Sequence, residues 1–139
     1  MHDSPEKMVM EFRRELDGSD PSSLVLDLHD YAIFNDDAAT VVLAPKGPHN
    51  SMVVWNLEPG QENDYHVHPE TEHMQFVIDG ELEWTLGGAA PVTVRPGQLV
   101  VVPPGVAHGI RNTSQQRATY ASINSPAKYE KILVERPAS

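Results

Sequence analysis

The sequence predicts an all-β sandwich or barrel preceded by one short N-terminal helix. Three observations carry that expectation. Twelve of the 139 residues are proline, against a usual share of about 5 per cent, and they sit beside glycines or at the ends of aliphatic runs rather than in one tract. Between them lie ten short apolar segments at the spacing of an all-β domain. Only one stretch, at the start, has the periodicity of a helix.

The helix is expected over 5–17. Ser4 suits the N-cap, Pro5 the first helical position and Glu6 the positive end of the helix dipole. Met8, Phe12 and Leu16 recur every four residues with Val9 beside them, and Gly18 is a stop. Residues 1–20 thus read as an amphipathic extension, its stripe packing on the barrel or on a second subunit, and 21–139 as one β domain. Strands are expected at Ser23–Leu28, Ala38–Ala44, Ser51–Glu58, Tyr65–His68, His73–Asp79, Glu81–Leu86, Val92–Val94, Leu99–Pro103, Ala107–Arg111 and Arg117–Asn124. Pro59-Gly60, Pro96-Gly97 and Pro104-Gly105 each fit a type II turn, with proline setting φ and glycine taking positive φ. Asp79-Gly80 between two apolar runs is a hairpin signal.

Composition excludes several function classes. The chain has no cysteine, which removes disulfide frameworks, thiolate metal sites and thiol nucleophiles. Ten basic against twenty acidic residues give a net charge of −10, which argues against a nucleic-acid or anionic-membrane surface. The longest aliphatic stretch, Leu99–Val102, is far short of the roughly 20 residues that span a bilayer. The opening MHDSPEKMVM is interrupted by charge and does not read as a signal peptide, so a cytoplasmic domain is expected.

Seven histidines remain to be explained. His2, His29 and His49 lie near the terminus or in polar loops and read as solvated. His66 and His68 are two apart in an expected strand, so alternation puts both on one face. His73 opens the next strand, and His108 follows the turn Pro103-Pro104-Gly105. Imidazoles from three strands would converge inside a barrel, and neutral imidazole is a common ligand for transition metals.

The segments GQENDYHVHPETEHMQFVIDG (60–80) and GQLVVVPPGVAHGIRN (97–112) resemble the two motifs of the cupin superfamily. Gly97, Pro103, Gly105, His108 and Asn112 fill the second motif. Gly60, His66, His68 and Gly80 fill the first. The resemblance covers roughly 20–125 and implies a cupin-type jelly-roll β-barrel, a double-stranded β-helix, holding one metal ion per chain. It departs at the position where the family usually has Glu. With four residues between it and His68 and six between it and Gly80, that position is His73; with three between it and His68 it is Glu72, but seven residues then separate it from Gly80. Adjacent strand residues face opposite sides, so the two are exclusive. The distance to Gly80 crosses no turn and favours His73. The expected ligand set is His66, His68, His73 and His108, with Glu72 behind it or solvated.

Four imidazoles leave one or two positions open on an iron, nickel, copper, zinc or manganese ion, and as neutral ligands they leave its full charge in place. That favours binding and polarising an anionic or enolisable small-molecule substrate, and the resemblance implies an enolisable or phenolic one. Strand parity aligns Gln75 and Val77 with His73, and Ile110 with His108. Gln75 is then the candidate catalytic residue, orienting a substrate oxygen. Trp55 and Tyr120 are candidates for the pocket wall. The resemblance implies a dioxygenase first, with a non-redox isomerase, cyclase or lyase, or binding without turnover, as alternatives. It also implies a homodimer, for which the Met8/Phe12/Leu16 stripe and Leu24–Leu28 are candidate interface elements.

Overall fold

A computed structural model describes residues 7–11, 15–126 and 131–136. Eleven strands form two sheets among these residues. They are β1 (Lys7–Glu11), β2 (Ala39–Leu43), β3 (Ser51–Leu57), β4 (Glu62–Val67), β5 (Glu72–Asp79), β6 (Leu82–Leu86), β7 (Val92–Val94), β8 (Leu99–Val102), β9 (His108–Arg111), β10 (Ala118–Ser125) and β11 (Ile132–Leu133). The first sheet runs β1-β2-β3-β10-β5-β8, the second β11-β4-β9-β6-β7. All neighbours are antiparallel except β1 with β2. The second sheet draws its strands from both halves of the sequence, as expected of a jelly roll.

The sheets close on an apolar core. Leu57, Leu82, Trp84, Ile110 and Tyr120 are fully buried in it. A full side-chain burial of this kind contributes roughly 1.5–3 kcal/mol. A second cluster, with Tyr31, Val42, Val54 and Ala121, lies on the outer face of the first sheet.

Two expectations fail. The N-terminal helix over 5–17 is absent where it is described: Lys7–Glu11 is an edge strand, with Met8 opposite Thr40 and Met10 opposite Val42. The apolar spacing of four that suits a helix is also two strand repeats, so Met8, Phe12 and Leu16 satisfy both periods. Ser4, Pro5, Glu6 and Phe12 lie outside the described residues. The strand expected at Ser23–Leu28 is replaced by 3-10 turns at Pro21–Leu24 and Leu28–Tyr31. Asp20 accepts from the Ser22 N–H and Asp27 from the His29 N–H, the capping chemistry of these residues. Leu26 and Leu28 pack against the second cluster, so the segment crosses the sheet rather than extending it. The other nine strands match within a few residues, and β1 and β11 are additional.

The turns behave as their residues require. Gly60, Gly80, Gly97 and Gly105 all have positive φ. At Gly80 a Cβ would stand 2.6 Å from the Arg117 carbonyl oxygen, so this hairpin admits no side chain. Gly105 N–H donates to the His68 carbonyl at 2.9 Å, which ties the turn before β9 to the end of β4.

Candidate metal centre

His66 and His108 face each other across the β4–β9 ladder as direct cross-strand partners. His68 follows the end of β4. His73 opens the inward face of β5, on the opposite sheet. All four are buried. Ring centroids are 4.3 Å apart for His66 and His108, 4.7 Å for His66 and His68, 4.5 Å for His68 and His73, and 5.0 Å for His73 and His108. Ligand atoms of His66, His68 and His108 lie within 4.8 Å of one another, and His73 falls outside that trio although its ring neighbours those of His68 and His108.

The two residues at the carboxylate position face opposite sides of β5. His73 is 3 % exposed, whereas Glu72 is on the solvent side of β5. Gln75 and Val77 share the inward face with His73, and Ile110 shares it with His108. Tyr65 points away from His66, as expected of its neighbour, and its hydroxyl donates to the Gly87 carbonyl. Asn112 closes the turn after β9, donating to the carbonyls of Leu57 and Gln116 and accepting from the Ser114 N–H.

Main-chain carbonyls fix the tautomers of two rings, and a side-chain amide orients a third. His66 Nδ1 meets the Asp64 carbonyl, and His108 Nδ1 meets the Val106 carbonyl at 3.1 Å. A carbonyl only accepts, so Nδ1 carries the proton and Nε2 presents a lone pair. His73 Nδ1 is 2.6 Å from Asn124 Oδ1, and a chain of side chains stands behind that contact. Ser122 Oγ donates to the same Asn124 oxygen at 2.8 Å, Gln75 Nε2 donates to Ser122 Oγ at 3.2 Å, and Trp84 Nε1 donates to Gln75 Oε1 at 2.8 Å. The indole N–H can only donate, which sets the Gln75 amide with its oxygen toward Trp84 and its N–H toward Ser122.

Electrostatics agree with neutral rings. Burial lowers the His66 pKa to about 2, helped by the neighbouring His108 and by Lys131. Burial likewise lowers His108 to about 3, and it pushes His73 down. Desolvation disfavours the charged imidazolium. Neutral rings whose Nε2 carries a lone pair suit a divalent transition ion. The fit is reinforced by two atoms: the Nε2 of His73 and of His108 are buried without a hydrogen-bond partner.

The histidines open on a cavity of about 160 Å³. Its apolar wall includes Val41, Leu43, Val53 and Trp55. Trp55 is therefore a lining residue. Tyr120 stacks behind it at 6.2 Å and belongs to the core. Gln75 lines the cavity with its oxygen and one of its two amide N–H bonds engaged. The sequence reading missed Asn63, Ser122, Asn124, Lys7 and Lys131, which also line it. Ser122 and Asn124 had a legible signal: they continue the inward parity of Tyr120 along β10, as polar residues in an apolar strand.

A family model described as a cupin domain matches residues 53–124. The rhicadhesin receptor of Pisum sativum is 32% identical over 80 residues, covering 54% of this chain and 37% of that protein. A Klebsiella pneumoniae protein with a double-stranded β-helix domain superimposes with a TM-score of 0.75 at 25% identity, covering 81% of this chain and 97% of that one. Oxalate oxidase in complex with the substrate analogue glycolate superimposes with a TM-score of 0.57 at 25% identity, covering 61% of this chain and 46% of that one. The chain thus spans less than half the length of the pea protein and of the oxalate oxidase.

Proposed function

The chain belongs to the cupin family, and from that premise we propose that it is a metal-dependent enzyme for one small enolisable or phenolic molecule, a dioxygenase first. The observation that carries this reading is the pair of buried, unpartnered Nε2 atoms on His73 and His108. Leaving a buried polar atom unpaired costs about 1–3 kcal/mol, and a cation relieves that cost for both rings at once. His66, His68, His73 and His108 would hold one ion per chain. When bound, the ion supplies Lewis-acid polarisation and, for a redox-active metal, access to dioxygen chemistry.

The chain's own residues do the rest. Val41, Leu43 and Val53 keep one wall apolar, which excludes water and strengthens electrostatic interactions inside. Gln75, held at both ends, offers its remaining N–H to a substrate oxygen. Likeness to an oxalate oxidase supports the redox reading. A second reading, a non-redox isomerase, cyclase or lyase, is favoured by the donor set: four neutral ligands leave the ion's charge undiminished for polarising an enolisable group.

The homodimer that the family implies would cover the outer face of the first sheet. Met74, Leu99 and Val101 are exposed there on the paired strands β5 and β8, and Leu24 and Val25 are exposed as well.

The test has two steps. Elemental analysis of protein purified without added metal should find one transition ion per chain. Oxygen uptake is then followed on adding enolisable and phenolic candidates. Uptake that matches product formation supports the dioxygenase, and conversion without uptake supports the non-redox reading. Ligand binding with no conversion under any of the five metals defeats the enzyme reading.

A further inference from the structure

The segment 131–136 wraps the β4 edge of the second sheet, from the cavity side to the outer face. At its start Lys131 lines the histidine cavity. Its Nζ donates to Asn63 Oδ1 at 3.2 Å and stands 5.7 Å from the centroid of the Trp55 ring. Trp55 belongs to β3 in the first sheet, so this side chain bridges the two sheets beside the histidines. β11 then pairs with β4, Ile132 opposite Val67 and Leu133 opposite His66, and the Val134 N–H donates to the Tyr65 carbonyl at 3.1 Å.

At its end Arg136 lies on the outer face. Nη1 donates to Thr85 Oγ1 at 3.1 Å and Nη2 to Glu62 Oε1 at 3.3 Å. The guanidinium carbon is 5.5 Å from the centroid of the Tyr65 ring. Gly109 makes the space, since a Cβ there would stand 2.7 Å from Nη2. The hold on the segment is therefore uneven. Ile132, Leu133 and Val134 are all exposed, so β11 packs little apolar surface. Arg136 by contrast leaves only 19 % of its side chain exposed. It bonds Thr85, a residue that strand alternation turns outward from the core residue Trp84 and that is buried nonetheless. One side chain thus anchors a segment that buries little of its own, and segments with few buried apolar contacts open locally before the fold does.

We propose that 131–136 is a strap that gates the histidine cavity, with Arg136 as its latch. While the latch holds, Lys131 stays against Trp55 and β11 covers the β4 edge beside His66. On release both leave together, and the cavity opens on that side. Ion and small-molecule exchange run through the open form. This deepens the metal-enzyme reading above and rests on it for the ion only. Arg136 touches neither ion nor substrate; it is a positioning residue that acts through the strap.

Amide hydrogen exchange followed by NMR on metal-free protein tests the latch. Arg136→Ala should speed exchange at Val134 about tenfold or more, the factor of one charge-assisted hydrogen bond. Amides of the central strand β10 should keep their rates. Thr85→Val, which removes one partner from the other end, should act in the same direction by less. Acrylamide quenching of tryptophan emission tests the gate. Trp84 is fully buried, so quenching reports on Trp55, and it should rise with Val134 exchange across the variants. With zinc, Arg136→Ala should raise the association and release rates together, each about tenfold, because both pass through the open form.

Val134 exchange as slow in Arg136→Ala as in the unaltered protein overturns the latch. Faster exchange with unchanged quenching overturns the gate, because the strap then uncovers nothing. Zinc release that quickens with no change in association overturns it as well, because the strap would then hold His66 in place rather than cover it. Failure to take up zinc defeats the metal reading separately, and the exchange and quenching results still decide the strap.

Discussion

The two walls of the cavity hold their imidazoles by different means. On the β4–β9 wall, His66 and His108 each donate Nδ1–H to the main-chain carbonyl two residues earlier, Asp64 and Val106. On the β5 wall, His73 donates to Asn124, and Ser122, Gln75 and Trp84 stand in line behind it. The first device is backbone and survives any side-chain change that keeps the strands. The second is side chains, and each can be removed with all four histidines left in place. The orientation of His73 is therefore the adjustable part of the centre.

The largest effect should come from the backbone-oriented wall. His66→Ala or His108→Ala removes a member of the tight trio. Bound metal should fall by more than the roughly 10–100-fold that losing an outer hydrogen-bond partner costs. Chelator competition followed by elemental analysis measures it. A variant that keeps full metal affinity would falsify the assignment of that wall.

Protonation is the next way to perturb the β4–β9 wall. His66 and His108 have pKa values of about 2 and about 3 in the folded state, lowered mainly by burial. The unfolded value is about 6.5. Between these limits the unfolded chain binds more protons, so stability falls as pH drops. Their contribution is complete above about pH 6.5, declines below it, and is lost as pH passes the folded values. At about pH 5.5 each ring should cost the metal-free protein about 1.4 kcal/mol, some 3 kcal/mol for the pair. Denaturant titrations across this window give the slope. The double variant His66→Asn/His108→Asn should flatten most of it. A slope unchanged in that variant would place the pH dependence elsewhere.

The same contrast explains what the sequence disclosed. His66, His68 and His108 lie in motifs whose spacing is set by single strands and tight turns, so counting residues located them. His73 needed only parity along β5 and its fixed distance to Gly80. Asn63 was hidden by a register shift in β4 between Asn63 and His66. That irregularity brings two residues of opposite parity to one cavity, which strict alternation forbids. Lys7 was hidden because a spacing of four satisfies helix and strand alike. Lys131 reaches Trp55 only because β11 returns to pair with β4, a long-range pairing that no local pattern announces. Asn124 and Ser122 were visible as polar residues on an inward strand face, but their partners across β10 and β5 depend on register.

Asn124→Leu tests the side-chain wall directly. The change is close to isosteric and removes the oxygen that accepts from His73 and Ser122. Metal affinity should fall about 10–100-fold, the usual cost of an outer partner. Asn124→Asp, which still accepts, should restore most of it. Competition with a graded series of chelators resolves that range. Affinity equal to that of the unaltered protein would reduce the Asn124 contact to packing.

Trp84→Phe acts at the far end of the same line and should have the smallest effect on the metal. It leaves Gln75 Oε1 without its donor inside the core, a loss of about 1–3 kcal/mol in stability. Three hydrogen bonds then separate the change from the His73 ring, and Ser122 and Asn124 can still hold it. Metal affinity should shift by about threefold or less, since coupling fades once direct contacts are lost. The two readouts can thus move apart: a clear drop in denaturation midpoint with little change in metal binding. If metal affinity instead falls as far as in Asn124→Leu, the four side chains act as one unit. His73 would then be oriented from the centre of the barrel, not by its nearest neighbour.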